Sequence, residues 1–210
     1  AMRALTTDPS ALFAFADACV ASSVAHNLTG FMMDFEPAST AVTAAENARV
    51  IRVIATKMHA HGKQFGVFLA GWGILGNWSA YKDCGADLYA TMDYYPTGGS
   101  PGTEAKVDAI LSAGIPASKL SIGVATTGWN QSALTSYLAY VKSRAIKMID
   151  VWWCPPNKDD PRVNISSMVV DALTGFVGHS GDTSGCLKGK VRNCKTDDAP
   201  SGSRTLQTRS

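Results

Sequence analysis

Two acids stand two residues apart at the end of a short apolar run, Gly30-Phe31-Met32-Met33-Asp34-Phe35-Glu36, which Pro37 closes. A run this short, bounded by Gly and Pro, predicts a buried strand. Side chains alternate across a strand, so Met32, Asp34 and Glu36 fall on one face and Phe31, Met33 and Phe35 on the other. Carboxylates that point the same way influence one another: one pKa rises and the other falls, which suits a general acid beside a supporting anion. The competing account is structural, with both acids capping neighbouring helices or pairing with a Lys or Arg in the sheet. Burying carboxylates without a purpose is costly, and that favours chemistry.

A second set of residues points to the same edge. Trp72, Trp129, Trp152, Trp153, Tyr94 and Tyr95 all fall at or just past the C-terminal ends of predicted strands. Flat rings with polar edges stack on the apolar faces of sugars while their N–H and O–H groups bond to hydroxyls. Large aromatics also plug barrel mouths, but six at one rim favour a carbohydrate cleft. Other constellations carry less. His59 and His61 sit beside Lys57 and Lys63 at what reads as a solvated helix end, and His26 and His179 are isolated, so no metal site and no cofactor is expected. Gly98-Gly99-Ser100-Pro101-Gly102 lacks the lysine of a phosphate loop, and no Gly-x-Ser-x-Gly elbow occurs.

The elements that must position these groups follow from the apolar period. Further buried strands are predicted over 65–72, 87–95, 119–127 and 147–154. Between them run helices: one opened by a Thr43/Glu46 capping box, with Val50, Val53, Ile54 and Met58 on one face and Gly62 at its stop; one from Thr103 with Val107, Ile110 and Leu111, ended by Gly114; and one with Leu134, Leu138 and Val141. A last helix carries Ile165, Met168, Val169, Leu173 and Phe176. Ahead of the first strand, a helix from about Ser10 is expected to bury Leu12, Phe13, Ala16, Cys19 and Val20; Asp8 and Asp17 count against reading this stretch as a signal peptide. Five strands alternating with helices argue for parallel β-α units, either an open doubly wound sheet or a β/α barrel. An eight-unit barrel usually takes about 250 residues, so a barrel here would be incomplete, with roughly three units absent on the N-terminal side.

Composition excludes other classes. The 210 residues are 46% hydrophobic and 17% charged, which is globular. No apolar run reaches a membrane span. Nineteen basic against 17 acidic residues give +2, but 179–210 hold six Lys/Arg and three Asp, leaving 13 minus 14, or −1, for the rest. The basicity belongs to a flexible polar tail over 179–210 following a domain over 1–178, and no nucleic-acid footprint is present. Cys19, Cys84 and Cys154 read as buried thiols, whereas Cys186 and Cys194 could pair. Four of seven Asn residues, Asn27, Asn77, Asn130 and Asn164, begin N-x-S/T sequons, which points to the secretory pathway. Oligomeric state is not legible.

The motifs resemble those of glycoside hydrolase family 18, the chitinases and related endo-N-acetylglucosaminidases. Thr29-Gly30-Phe31-Met32-Met33-Asp34-Phe35-Glu36 is similar to the D-G-x-D-x-D-x-E strand, keeping its Gly, last Asp and Glu, with Thr29 and Met32 in place of the other two Asp. Met92-Asp93-Tyr94-Tyr95 is similar to M-x-Y-D, with Tyr95 for the Asp. Residues 119–128 resemble K-x-x-x-G-x-P-x-Y-G without the Pro and Tyr, and Ile149-Asp150-Val151-Trp152-Trp153 resembles the last strand, whose Trp floors the sugar site. The resemblance spans about 10–178 and implies strands four to eight of a (β/α)8 barrel. It also implies substrate-assisted retaining hydrolysis of β-linked N-acetylglucosamine polymers. In that scheme Glu36 is the general acid, and Asp34 orients the acetamido group that attacks the anomeric carbon. Tyr94 donates a hydrogen bond to that group, Trp153 (or Trp152, if the parity shifts by one) stacks beneath the sugar, and Met92, Trp72, Tyr95 and Trp129 line the cleft. Met32 removes the carboxylate that shares a proton with the Asp34 position, so a catalytically weak or inert chitinase-like carbohydrate-binding protein is the second expectation.

Overall fold

A computed structural model describes residues 2–36, 42–92, 103–125, 128–152, 171–172 and 175–176. Helix α1, Met2–Thr7, was not expected; Asp8 then N-caps α2, Pro9–Ala25, its carboxylate accepting from the Ser10 and Ala11 amides with Pro9 at the first helical position. Asn27 ends the helix in the left-handed region at φ 49°, while the Leu28 amide reaches back to the Ser23 carbonyl at 2.8 Å. The buried seam of α2 is Leu12, Ala16, Cys19, Val20 and Ser23. Phe13 does not join it: one residue on from Leu12 is a turn of about 100°, and its ring is half exposed beneath the Lys57 ammonium.

Five parallel strands follow: β1, Gly30–Met33; β2, Gln64–Leu69; β3, Leu88–Thr91; β4, Leu120–Ala125; and β5, Met148–Trp152. Their order in the sheet is their order in the chain. A doubly wound sheet reverses its order at a switch point, and these strands do not, so that alternative is set aside. Crossovers of one hand then stack the helices on a single face. That face carries Phe65, Val67 and Leu69 of β2, Tyr89 of β3, and Leu120, Ile122 and Val124 of β4, each 1% exposed or less.

Helix α3, Ala44–Ala60, packs on β2 and α2 through Val50, Ile51, Ile54 and Met58, all fully buried. Its capping box is formed: the Glu46 amide donates to Thr43 Oγ1 at 3.2 Å and the Thr43 amide to the Glu46 carboxylate at 2.8 Å. Gly62, at φ +65°, turns the chain toward β2. Removing the cap hydroxyl in Thr43→Ala should lower unfolding free energy by about 1 kcal/mol in a denaturant titration, with an unchanged denaturant slope. Helices α4, Thr103–Ser112, and α5, Gln131–Ser143, bury the expected Val107, Ile110, Leu134, Leu138 and Val141. Of the last expected helix, residues 171–172 and 175–176 are helical and Phe176 is buried; Ile165, Met168, Val169 and Leu173 lie outside the described residues, as do Cys154, Cys186, Cys194 and Asn164.

β1 and β2 end short of their apolar runs, at Met33 and Leu69, and β3, β4 and β5 each begin one residue later than expected. Asp87, expected to open the third strand, precedes it and accepts from the Phe65 amide at 2.9 Å and from His59 Nε2 at 2.7 Å. His59 is therefore paired rather than simply solvated. Burial alone would raise the Asp87 carboxyl, but the Phe65 amide, His59 and Lys119 outweigh it and hold the group below the ordinary range.

Candidate active site

Directly opposed residues in a parallel sheet point the same way, so the register gives the rows of the face turned away from the helices. Met32 lies beside Gly66 and Leu88; Phe68 beside Ala90, Ser121 and Met148; Gly123 beside Asp150; and Ala125 beside Trp152. The first row has a packing reason. A Cβ on Gly66 would stand 2.9 Å from Met32 Cγ, so the Met32 side chain occupies the space that the missing side chain leaves.

Strand β1 stops at Met33, where its pairing with Val67 ends; Asp34, Phe35 and Glu36 continue beyond the ladder rather than inside a strand. The expected strand over 30–36 is thus three residues too long. The alternation outlasts the hydrogen bonding: Met33 is buried and Phe35 packs partly into the core, while Asp34 and Glu36 are both exposed. The two acids are therefore on the solvent side at the C-terminal exit of β1, the edge where β/α proteins build their sites. Asp34, though exposed, is desolvated enough by its surroundings for the carboxyl to be raised above the ordinary range. A raised folded-state pKa favours the protonated form, so the charged form opposes folding as pH climbs past the unfolded value. Asp34→Asn should accordingly match or exceed the wild-type melting temperature at neutral pH, with the difference vanishing in acid; thermal scans at several pH values check the sign.

The aromatic residues divide. Trp72, three residues past β2, is 48% exposed, and Trp152, the last residue of β5, is 49% exposed, so both present rings at the rim. Trp129 is instead buried and stacked on Tyr137 of α5, with ring centroids 5.1 Å apart. Met92, just past β3, is buried, its amide donating to the Leu69 carbonyl at 2.7 Å. Tyr94, Tyr95 and Trp153 lie outside the described residues. The register puts Trp152 on the same face as Met32, which is the parity that the resemblance held in reserve.

One polar pair on this face was missed. Ser121 Oγ donates to Asp150 at 2.9 Å, joining β4 to β5 two residues before Trp152. The signal was present in the period-two pattern Met148, Asp150, Trp152, which puts an acid and an aromatic on one face of a strand. Among the described residues, no three His, Cys, Asp or Glu side chains are grouped to hold a metal ion, and no helix is long and apolar enough to cross a membrane.

No protein-family profile matches the sequence, and no curated protein matches it either. Solved structures do. The chain is similar to the Group IV chitinase of Ostrinia furnacalis at a TM-score of 0.67 and 12% identity, covering 83% of this chain and 75% of that one. It is similar to the family GH18 chitinase of Cycas revoluta in complex with (GlcNAc)3, at 0.64 and 13%, covering 84% and 76%, and to a chitinase from Chromobacterium violaceum ATCC 12472, at 0.62 and 14%, covering 80% and 74%. At such identities the likeness is one of fold: the α/β architecture with its parallel five-stranded sheet is that of chitinase barrels.

Proposed function

We propose that this protein is a chitinase-like glycoside hydrolase acting on β-linked N-acetylglucosamine polymers or glycans. The observation that carries the reading is the exit of β1 on a chitinase-type fold, where Asp34 and Glu36 both stand on the solvent side. In this reading β1 to β5 are strands four to eight of a partial β/α barrel over 1–178, residues 179–210 are a flexible polar tail, and the protein works in the secretory pathway or outside the cell.

Glu36 protonates the glycosidic oxygen as the bond to the leaving sugar breaks, and the acetamido oxygen of the substrate closes on the anomeric carbon. Asp34 orients that acetamido group, and its carboxylate balances the positive charge that develops on it. Tyr94 donates to the same acetamido group, Trp152 or Trp153 stacks beneath the sugar, and Trp72, Met92 and Tyr95 border it. Water then opens the oxazolinium, with Glu36 as base, and configuration is retained.

A second reading has its own support. Met32 fills the space over Gly66 where a proton-sharing carboxylate would otherwise stand beside Asp34, which suits a protein that binds the sugar and turns it over slowly or not at all. Release of a fluorogenic leaving group from a di-N-acetylchitobioside, with Glu36→Gln as control, separates the two. Turnover that disappears in the variant supports the enzyme; binding of chitin oligosaccharides without turnover by the folded wild type supports the binding protein.

A further inference from the structure

The connection from β2 to β3 contains no α-helix; two short 3₁₀ turns, Gly73–Gly76 and Trp78–Ala80, take its place. Trp72 stands at the entrance to the first turn, next to the β1 exit because β1 and β2 are neighbours in the sheet. The turn closes on itself: the Gly76 amide donates to the Trp72 carbonyl at 3.1 Å, and a Cβ on Gly76 would come within 3.2 Å of the Gly71 backbone. Such a turn has few residues with which to fix its own orientation, and an exposed ring on it would sweep a wide arc without an anchor.

The anchor is Tyr81. Its hydroxyl donates to the Ile74 carbonyl at 3.2 Å, inside the turn, and accepts from Asn47 Nδ2 of α3 at 3.1 Å; its own carbonyl accepts from Tyr89 of β3 at 3.0 Å. Tyr81 and Asn47 are both buried. One buried hydroxyl therefore bridges the turn and α3: the Tyr81 O–H is given to the Ile74 carbonyl while Asn47 holds its oxygen from the helix side.

We infer that Asn47 and Tyr81 are positioning residues that lock the β2–β3 turn so that the Trp72 ring stands as a fixed stacking platform for an N-acetylglucosamine unit beside Asp34 and Glu36. The platform role rests on the proposed function; the anchor does not. Fixing the ring beforehand spares the sugar the cost of ordering it.

The test uses the full chain. Hydrogen exchange at the Gly76 and Asn77 amides should rise about ten-fold in Tyr81→Phe and in Asn47→Ala, with exchange in β4 unchanged as the internal check on folding. In a Glu36→Gln background, where the ligand stays uncut, chitotetraose affinity measured by calorimetry should fall roughly ten-fold in Trp72→Ala and several-fold in Tyr81→Phe, and the double variant should bind no worse than Trp72→Ala alone. Unchanged exchange in both anchor variants overturns the lock whatever the sugar chemistry. Additive losses in the double variant overturn the coupling to Trp72. A folded wild-type protein with no affinity for chitotetraose overturns the functional reading and with it the platform role, while the exchange data still decide on the anchor.

Discussion

Glu36→Gln should lower kcat on a chitobioside substrate by roughly 10²–10⁴, the range that a positioned general acid contributes, while leaving oligosaccharide affinity within a few-fold of wild type. The exchange of one oxygen for an amide nitrogen keeps the size of the side chain and its polarity, and removes the proton that the leaving group needs. Because Glu36 is exposed past the end of β1 and makes no hydrogen bond that ties the fold together among the described residues, the melting temperature should not move. This separates it from Asp34→Asn, which alters a group that its environment already holds toward the protonated state. A loss of kcat with KM nearly unchanged marks an interaction made in the transition state. A raised KM with kcat unchanged would instead assign Glu36 to ground-state binding.

Gly30→Ala should be the most destabilising of the small substitutions at the site. A Cβ on Gly30 would lie 2.3 Å from the Gln64 carbonyl oxygen and 2.8 Å from its carbon, and both are backbone atoms that cannot rotate away. The neighbouring bond from the Gln64 amide to the Thr29 carbonyl, 3.0 Å, spans the same approach, and β2 is the one partner of β1 among the described strands. Forcing the strands apart should cost roughly 1–3 kcal/mol, or a melting temperature lower by on the order of 5 °C for a chain of this size. It should also reduce turnover, since Asp34 and Glu36 follow directly on β1. Gly66→Ala is the control. Its Cβ meets Met32 Cγ at 2.9 Å and Leu88 Cβ at 3.3 Å; a rotamer change of Met32 relieves the tighter of these, whereas nothing moves the Gln64 backbone short of shifting β2, so thermal unfolding should show a smaller loss. A Gly66→Ala protein as unstable as Gly30→Ala would mean that Met32 is held as firmly as backbone.

The glycine of the strand motif is thus a matter of approach distance, which no sequence pattern reveals; the pattern marks only that a Gly is there. Where a local rule acts alone, the sequence was sufficient. The Thr43/Glu46 box, the stop at Gly62 and the buried faces of α3, α4 and α5 are set by neighbours three and four residues away. Strand ends are set by the partner. Asp34 to Glu36 continue the apolar-polar alternation of β1, yet the ladder stops at Val67, so the run reads three residues too long. Partnering also hid the stacking of Trp129 on Tyr137, which arrives from the middle of α5, and the His59–Asp87 contact, 28 residues apart in sequence. Asp150 was legible by its parity with Trp152, but that parity needed the register against Ser121 and Ala125 to fix its direction.

The claim at the centre of this account is that the 2-acetamido group of the substrate, oriented by Asp34, does the work of a protein nucleophile. Comparing release of the same fluorogenic leaving group from a di-N-acetylchitobioside and from a cellobioside, which differ at the 2-position, tests it most directly. The account predicts turnover of the first that Glu36→Gln abolishes, and none of the second. Comparable turnover of both would contradict it, and would show that the carboxylates at the exit of β1 act without help from the substrate.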